Sequence, residues 1–71
     1  MNKDIKLTLK AIRVNSGMNQ AQWAQAIGAS KASIYNWENG KADPSVSTIR
    51  KISELSGIPM DNIFIPTNLN K

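Results

Sequence analysis

The chain has 71 residues, nine lysines and arginines against five acidic residues, and a formal net charge of +4. Cysteine and histidine are absent, which excludes disulfide staples, thiolate metal sites, and imidazole bases and ligands. A chain this short buries only about 60% of the surface its unfolded form exposes, so a small core must carry it.

No apolar run approaches the ~20 residues of a membrane span. Met1-Asn2-Lys3-Asp4 leads into an amphipathic segment without the apolar stretch of a signal peptide. The basic excess favours a polyanion or an acidic partner without naming one.

Five short helices and no strand are predicted. The first covers about residues 4–15, with Ile5, Leu9 and Ile12 on one apolar stripe. Asn15-Ser16-Gly17 ends it. The second covers 20–27: Asn19 is its N-cap, Gln22 completes a capping-box pattern, and Trp23, Ala24 and Ile27 face inward. Gly28 stops it, and Ser30 caps a third helix over 31–38. Ile34 and Trp37 are its inward side, and Asn39-Gly40 its end.

The main loop, Lys41-Ala42-Asp43-Pro44, leads to Ser45, the N-cap of a fourth helix over 46–56. Val46, Ile49, Ile52 and Leu55 read as its apolar face and Gly57 as its close. A brief fifth helix over 60–65 would set Ile63 and Phe64 against the rest. Residues 66–71 have no periodicity and read as a flexible tail. Short loops between four or five helices imply a compact all-α bundle, one domain over 1–71.

Residues 19–40 carry the sharpest pattern, two short helices around a glycine-containing turn. Gln20, Trp23-Ala24, Gly28, Ser30, Ile34, Trp37-Glu38-Asn39-Gly40 and Pro44 follow one another, continued by Ile49, Leu55 and Gly57. In these residues, about 5–65 of the chain resemble the Cro/repressor-type, or XRE, helix-turn-helix family. The resemblance implies a lambda-repressor-like domain that binds double-stranded DNA sequence-specifically, commonly as a homodimer. It further suggests a small transcriptional regulator of a phage lysis–lysogeny switch, working in the cytoplasm of a bacterial host.

The third helix would then enter the major groove. On a helical wheel Ala32, Tyr35, Asn36 and Asn39 lie opposite Ile34 and Trp37, with Lys31 beside them. The family's base-contacting positions match the first turn, Lys31 and Ala32, and Asn36; Tyr35 is a further candidate, for a base edge, a phosphate or the sugar backbone. Asn36 has the amide to bond an adenine edge twice, Lys31 can donate to guanine or phosphate, and Ala32 can touch a thymine methyl. Gln20 sits where free backbone N–H groups and the positive helix end favour a phosphate, and the family uses the matching glutamine so. Asn39 and Lys41 match further backbone contacts. The family also pairs an arginine late in the first helix with the glutamate ending the third, here Arg13 and Glu38. Met18, Trp23 and Trp37 read as core.

The same face is poor in long polar readers, which opens a second reading. Gln22, Gln25, Tyr35 and Asn36 form an uncharged, hydrogen-bonding surface of the kind that binds proteins. Such a regulator would act as an anti-repressor or co-repressor on a partner repressor protein. Ile58, Met60, Ile63, Phe64 and Ile65 would seal the core or form a self-contact. An enzyme is not expected. Asp4, Asp43, Asp61, Glu38 and Glu54 make no close acid pair at helical spacing, and no glycine-rich phosphate loop is present. Neither a metal, a cofactor nor a small-molecule substrate is expected.

Overall fold

Four side-chain oxygens set where the helices begin. Thr8 Oγ1 accepts the Ala11 N–H at 3.0 Å and opens α1, Leu9–Asn15. Asn19 Oδ1 accepts the Gln22 N–H at 2.8 Å while Gln22 Oε1 accepts the Asn19 N–H at 2.9 Å. That reciprocal box opens α2, Gln20–Ile27. Ser30 Oγ and Ser45 Oγ do the same work for α3, Lys31–Glu38, and α4, Val46–Ser56. Each bond satisfies a backbone donor that a helix start leaves unpaired. The structure, a computed structural model, describes residues 6–65.

Between α2 and α3 the chain turns within residues 28–30. Gly28 has φ 84°, the left-handed region open to glycine, and the Ala24 carbonyl accepts the N–H groups of both Gly28 and Ala29 at 2.8 Å. This turn lets α2 and α3 pack against each other more extensively than any other pair of elements. No basic residue occupies the last turn of α2. Lys51 reaches from α4 instead, its Nζ donating to the Ile27 carbonyl at 3.1 Å, a cation placed at the negative helix end.

The core is built on Leu9, Ile12, Trp23, Ala24, Ile27, Ile34, Trp37, Ile52, Ile63 and Ile65. Leu7, Met18, Ala29, Ile49 and Ile58 pack against it, partly buried. Ile12, Ile34 and Ile52, one each from α1, α3 and α4, are fully enclosed. Each contributes roughly 1.5–3 kcal/mol through burial alone.

Three sequence expectations are corrected. The first helix does not run from residue 4: Leu7–Thr8 form a short strand, β1, before α1 begins at Leu9, and residues 4 and 5 lie outside the described chain. The expected fifth helix is a 3-10 turn, Met60–Asn62, followed by strand β2, Ile63–Phe64. The two strands pair in parallel, Leu7 with Ile63 and Thr8 with Phe64. Ile63 and Ile65 are buried while Phe64 between them is less so, the alternation of a strand rather than a helix. Finally, Val46 and Leu55 are 63% and 56% exposed. Each step of three residues falls ~60° short of a full turn, so these two sit ~180° apart and flank the Ile49–Ile52 stripe.

Among the described residues the architecture is therefore all-α, four helices with one small strand pair linking Leu7–Thr8 to Ile63–Phe64. The tail expected over 66–71 lies outside the described residues. Among the described residues no helix is long and apolar enough to cross a membrane.

Candidate nucleic-acid interface

Burial of Ile34 and Trp37 decides which side of α3 faces out. With those two in the core, Lys31, Ala32 and Tyr35 are exposed and Asn36 is half-buried at the edge of the same face. Gln20 begins α2 nearby in space. It lines, with Arg13, Asn19, Ala21 and Lys31, an open depression of about 340 Å³. The α2 N-terminus and the α3 N-terminus thus share one concavity, with the Lys31 cation beside it.

Glu38 closes α3 from beneath. Arg13 donates to it twice, Nε to Oε2 at 2.6 Å and Nη2 to Oε1 at 3.2 Å. Arg13 Nη1 also donates to the Met18 carbonyl at 3.0 Å. The Gln20 amide donates through Nε2 to Glu38 Oε1 at 3.2 Å. One carboxylate therefore joins α1, the start of α2 and the end of α3. The Gln20 side chain is held rather than free, and it keeps a second N–H for a further acceptor.

The electrostatic result follows from composition. Between residues 19 and 41 the charged residues are Lys31, Glu38 and Lys41. Glu38 is the sole acid of that segment, and it is buried against Arg13. The helix-turn-helix therefore presents cations alone, Lys31 at the start of α3 and Lys41 just past its end.

Beyond α3 the chain closes in a defined cap. Gly40 has φ 72°; its N–H donates to the Trp37 carbonyl at 3.3 Å and the Lys41 N–H donates to the Asn36 carbonyl at 2.8 Å. These are the two crossed bonds of a Schellman motif. Asn39 Nδ2 donates to the Tyr35 carbonyl at 2.8 Å, so its amide serves the helix end. The Lys41 ammonium lies 5.3 Å from the centroid of the Tyr35 ring.

Gln22 and Gln25 of α2 line another open depression, of about 490 Å³, with Ser16, Gly17, Met18 and Ala26. Tyr35 and Asn36 do not line it. Gln22 is already committed to the Asn19 cap through its side-chain oxygen.

The helix-turn-helix family model matches residues 9–63. The chain belongs to the helix-turn-helix family. An uncharacterized HTH-type transcriptional regulator of Methanocaldococcus jannaschii is 34% identical over 61 residues, 86% of this chain and 92% of that protein. The SPbeta prophage-derived uncharacterized HTH-type transcriptional regulator YonR of Bacillus subtilis is 32% identical over 60 residues, 84% of this chain. The cryptic phage CTXphi transcriptional repressor RstR of Vibrio cholerae is 26% identical over 62 residues, 87% of this chain. Those alignments span 56% of YonR and 56% of RstR. No solved structure matches the chain.

Two features of this helix-turn-helix chain were not read from sequence. The Gln20–Glu38 bond links residues eighteen positions apart, and no local pattern signals it. The Lys41–Tyr35 contact has a signal in retrospect: an Asn-Gly helix end fixes the following residue back over the helix.

Proposed function

We propose that this chain is a sequence-specific DNA-binding transcriptional regulator that lays α3 in the major groove. The observation that carries the reading is the electrostatic one. The outward side of residues 19–41 has two cations and its single carboxylate is withdrawn into the Arg13 pair. Lys31, Ala32 and Asn36 are the residues offered to base edges, Asn36 as the adenine reader. Gln20, Asn39 and Lys41 are offered to phosphates, which set affinity and register but not sequence choice.

The finer role is that of a small Cro- or repressor-type regulator in a phage switch, acting without catalysis. Two prophage- or phage-derived regulators among the relatives support it. A homodimer in the bacterial cytoplasm belongs to the same proposal.

The test is binding of the pure protein to a mixed-sequence duplex across a salt series. Phosphate contacts predict that log K falls linearly with log salt, with a slope of about −0.9 for each phosphate neutralised. Absence of binding at low salt, together with a stable complex with a partner repressor, would replace this reading by the anti-repressor one.

A further inference from the structure

We propose that Tyr35 is a positioning residue whose ring serves as a platform for Lys41, and that the tyrosine itself reads no base. The ring face would hold the Lys41 ammonium beside the end of α3, where it meets a phosphate of the DNA backbone. This rests on the reading of α3 as the DNA-facing helix.

Lys41 is fixed from two directions. Its backbone is pinned by the Schellman bonds, Lys41 N–H to the Asn36 carbonyl and Gly40 N–H to the Trp37 carbonyl, with Gly40 at φ 72°. Its ammonium sits over the Tyr35 ring at 5.3 Å from the centroid, within the range of cation–π attraction. The two anchors are linked. The Tyr35 carbonyl accepts both the Asn39 backbone N–H at 3.1 Å and the Asn39 side-chain N–H at 2.8 Å, so the helix end is tied to the residue that carries the ring. Among the described residues Lys41 forms no ion pair.

A lysine stem left free loses rotamer freedom when it docks on a phosphate. A stem already laid over an aromatic ring has lost part of it before docking, and the compact ammonium still has donors for a phosphate oxygen. The ring is well suited to this task. It is 48% exposed, so it is no part of the core and its replacement leaves the fold intact. With one face under Lys41, only its rim and the other face remain for a direct contact.

The experiment compares wild type, Tyr35→Phe, Tyr35→Leu, Lys41→Met and the double variant Tyr35→Leu/Lys41→Met. Each is titrated with a mixed-sequence duplex over a salt series. In parallel, NMR of the free proteins reads the upfield ring shift on the Lys41 side-chain protons. Lys41→Met should weaken binding and reduce the salt slope by about 0.9. Tyr35→Leu should weaken binding about threefold, keep the slope and abolish the ring shift. Tyr35→Phe should behave as wild type in both measurements. In the Lys41→Met background, Tyr35→Leu should have no further effect.

Equal weakening by Tyr35→Phe and Tyr35→Leu would overturn the inference, because the hydroxyl would then be the contact. So would a Tyr35→Leu loss that persists without Lys41, or a free protein with no ring shift. If wild type binds no duplex at any salt, the DNA-binding reading itself falls and takes the inference with it. If it binds with the predicted slope and only the tyrosine pattern fails, that reading stands.

Discussion

The Glu38 carboxylate accepts from the Gln20 amide and the Arg13 guanidinium together, so the last residue of α3 is bonded to the first residue of α2 and to the end of α1. The side chains of Arg13 and Glu38 are only 11% and 4% exposed. A pair at that depth differs from a surface salt bridge, which is worth ~0–1 kcal/mol. Its own attraction is largely offset by desolvation, but neither partner can be removed without stranding the other.

Glu38→Ala is therefore expected to destabilise the domain by ~3–5 kcal/mol, since it leaves Arg13 buried and unpaired. Urea unfolding followed by circular dichroism measures this. A loss below ~1 kcal/mol would mean that the pair behaves as two solvated charges.

Gln20 and Lys31 line the same depression but carry different charge. Gln20→Ala should weaken binding to a mixed-sequence duplex while leaving the salt slope unchanged, because no cation is lost. Lys31→Ala should lower the slope by about 0.9. Fluorescence anisotropy across a salt series separates the two. A slope change for Gln20→Ala, or none for Lys31→Ala, contradicts the assignment.

Asn36 is the one side-chain amide within α3, half-buried at the edge of its outward face. Sites selected by the wild-type protein from a random duplex library should show an adenine position that Asn36→Ala loses, with ~1–3 kcal/mol of discrimination. An unchanged selected site would remove Asn36 from the reading face.

Gly28 has room for a methyl group, its nearest neighbour being Lys51 Nζ at 3.8 Å, yet its φ is 84°. Gly28→Ala should therefore lower stability by ~1–2 kcal/mol through backbone conformation alone. Thermal unfolding reads the loss. A larger loss would point to a steric clash that the structure does not contain.

What the sequence made legible was whatever is decided locally. Asn19 with Gln22, Ser30 and Ser45 have the chemistry to cap a helix, and each accepts the bond that does so. Ile34 and Trp37 share a side at helical spacing, and both are buried. The strand pair was hidden because two-residue strands are set by the pairing of Leu7 with Ile63, which no window of sequence contains. Val46 and Leu55 were misplaced because steps of three drift away from the true helical period. In the candidate site, the outward positions of α3 followed from the wheel. The binding of Gln20 to Glu38 did not, since it joins two helices, and the contact of Lys41 with Tyr35 depends on how the chain folds back after α3.

On the proposed function, the outward side of α3, the start of α2 and the cap after α3 form one surface for duplex DNA. Backbone amide NMR during a duplex titration maps that surface. The prediction is salt-sensitive shifts at residues 20 and 31–41, with α4 and the β1–β2 pair unmoved. Shifts concentrated on α4 and β2, or no shifts at low salt, would contradict it.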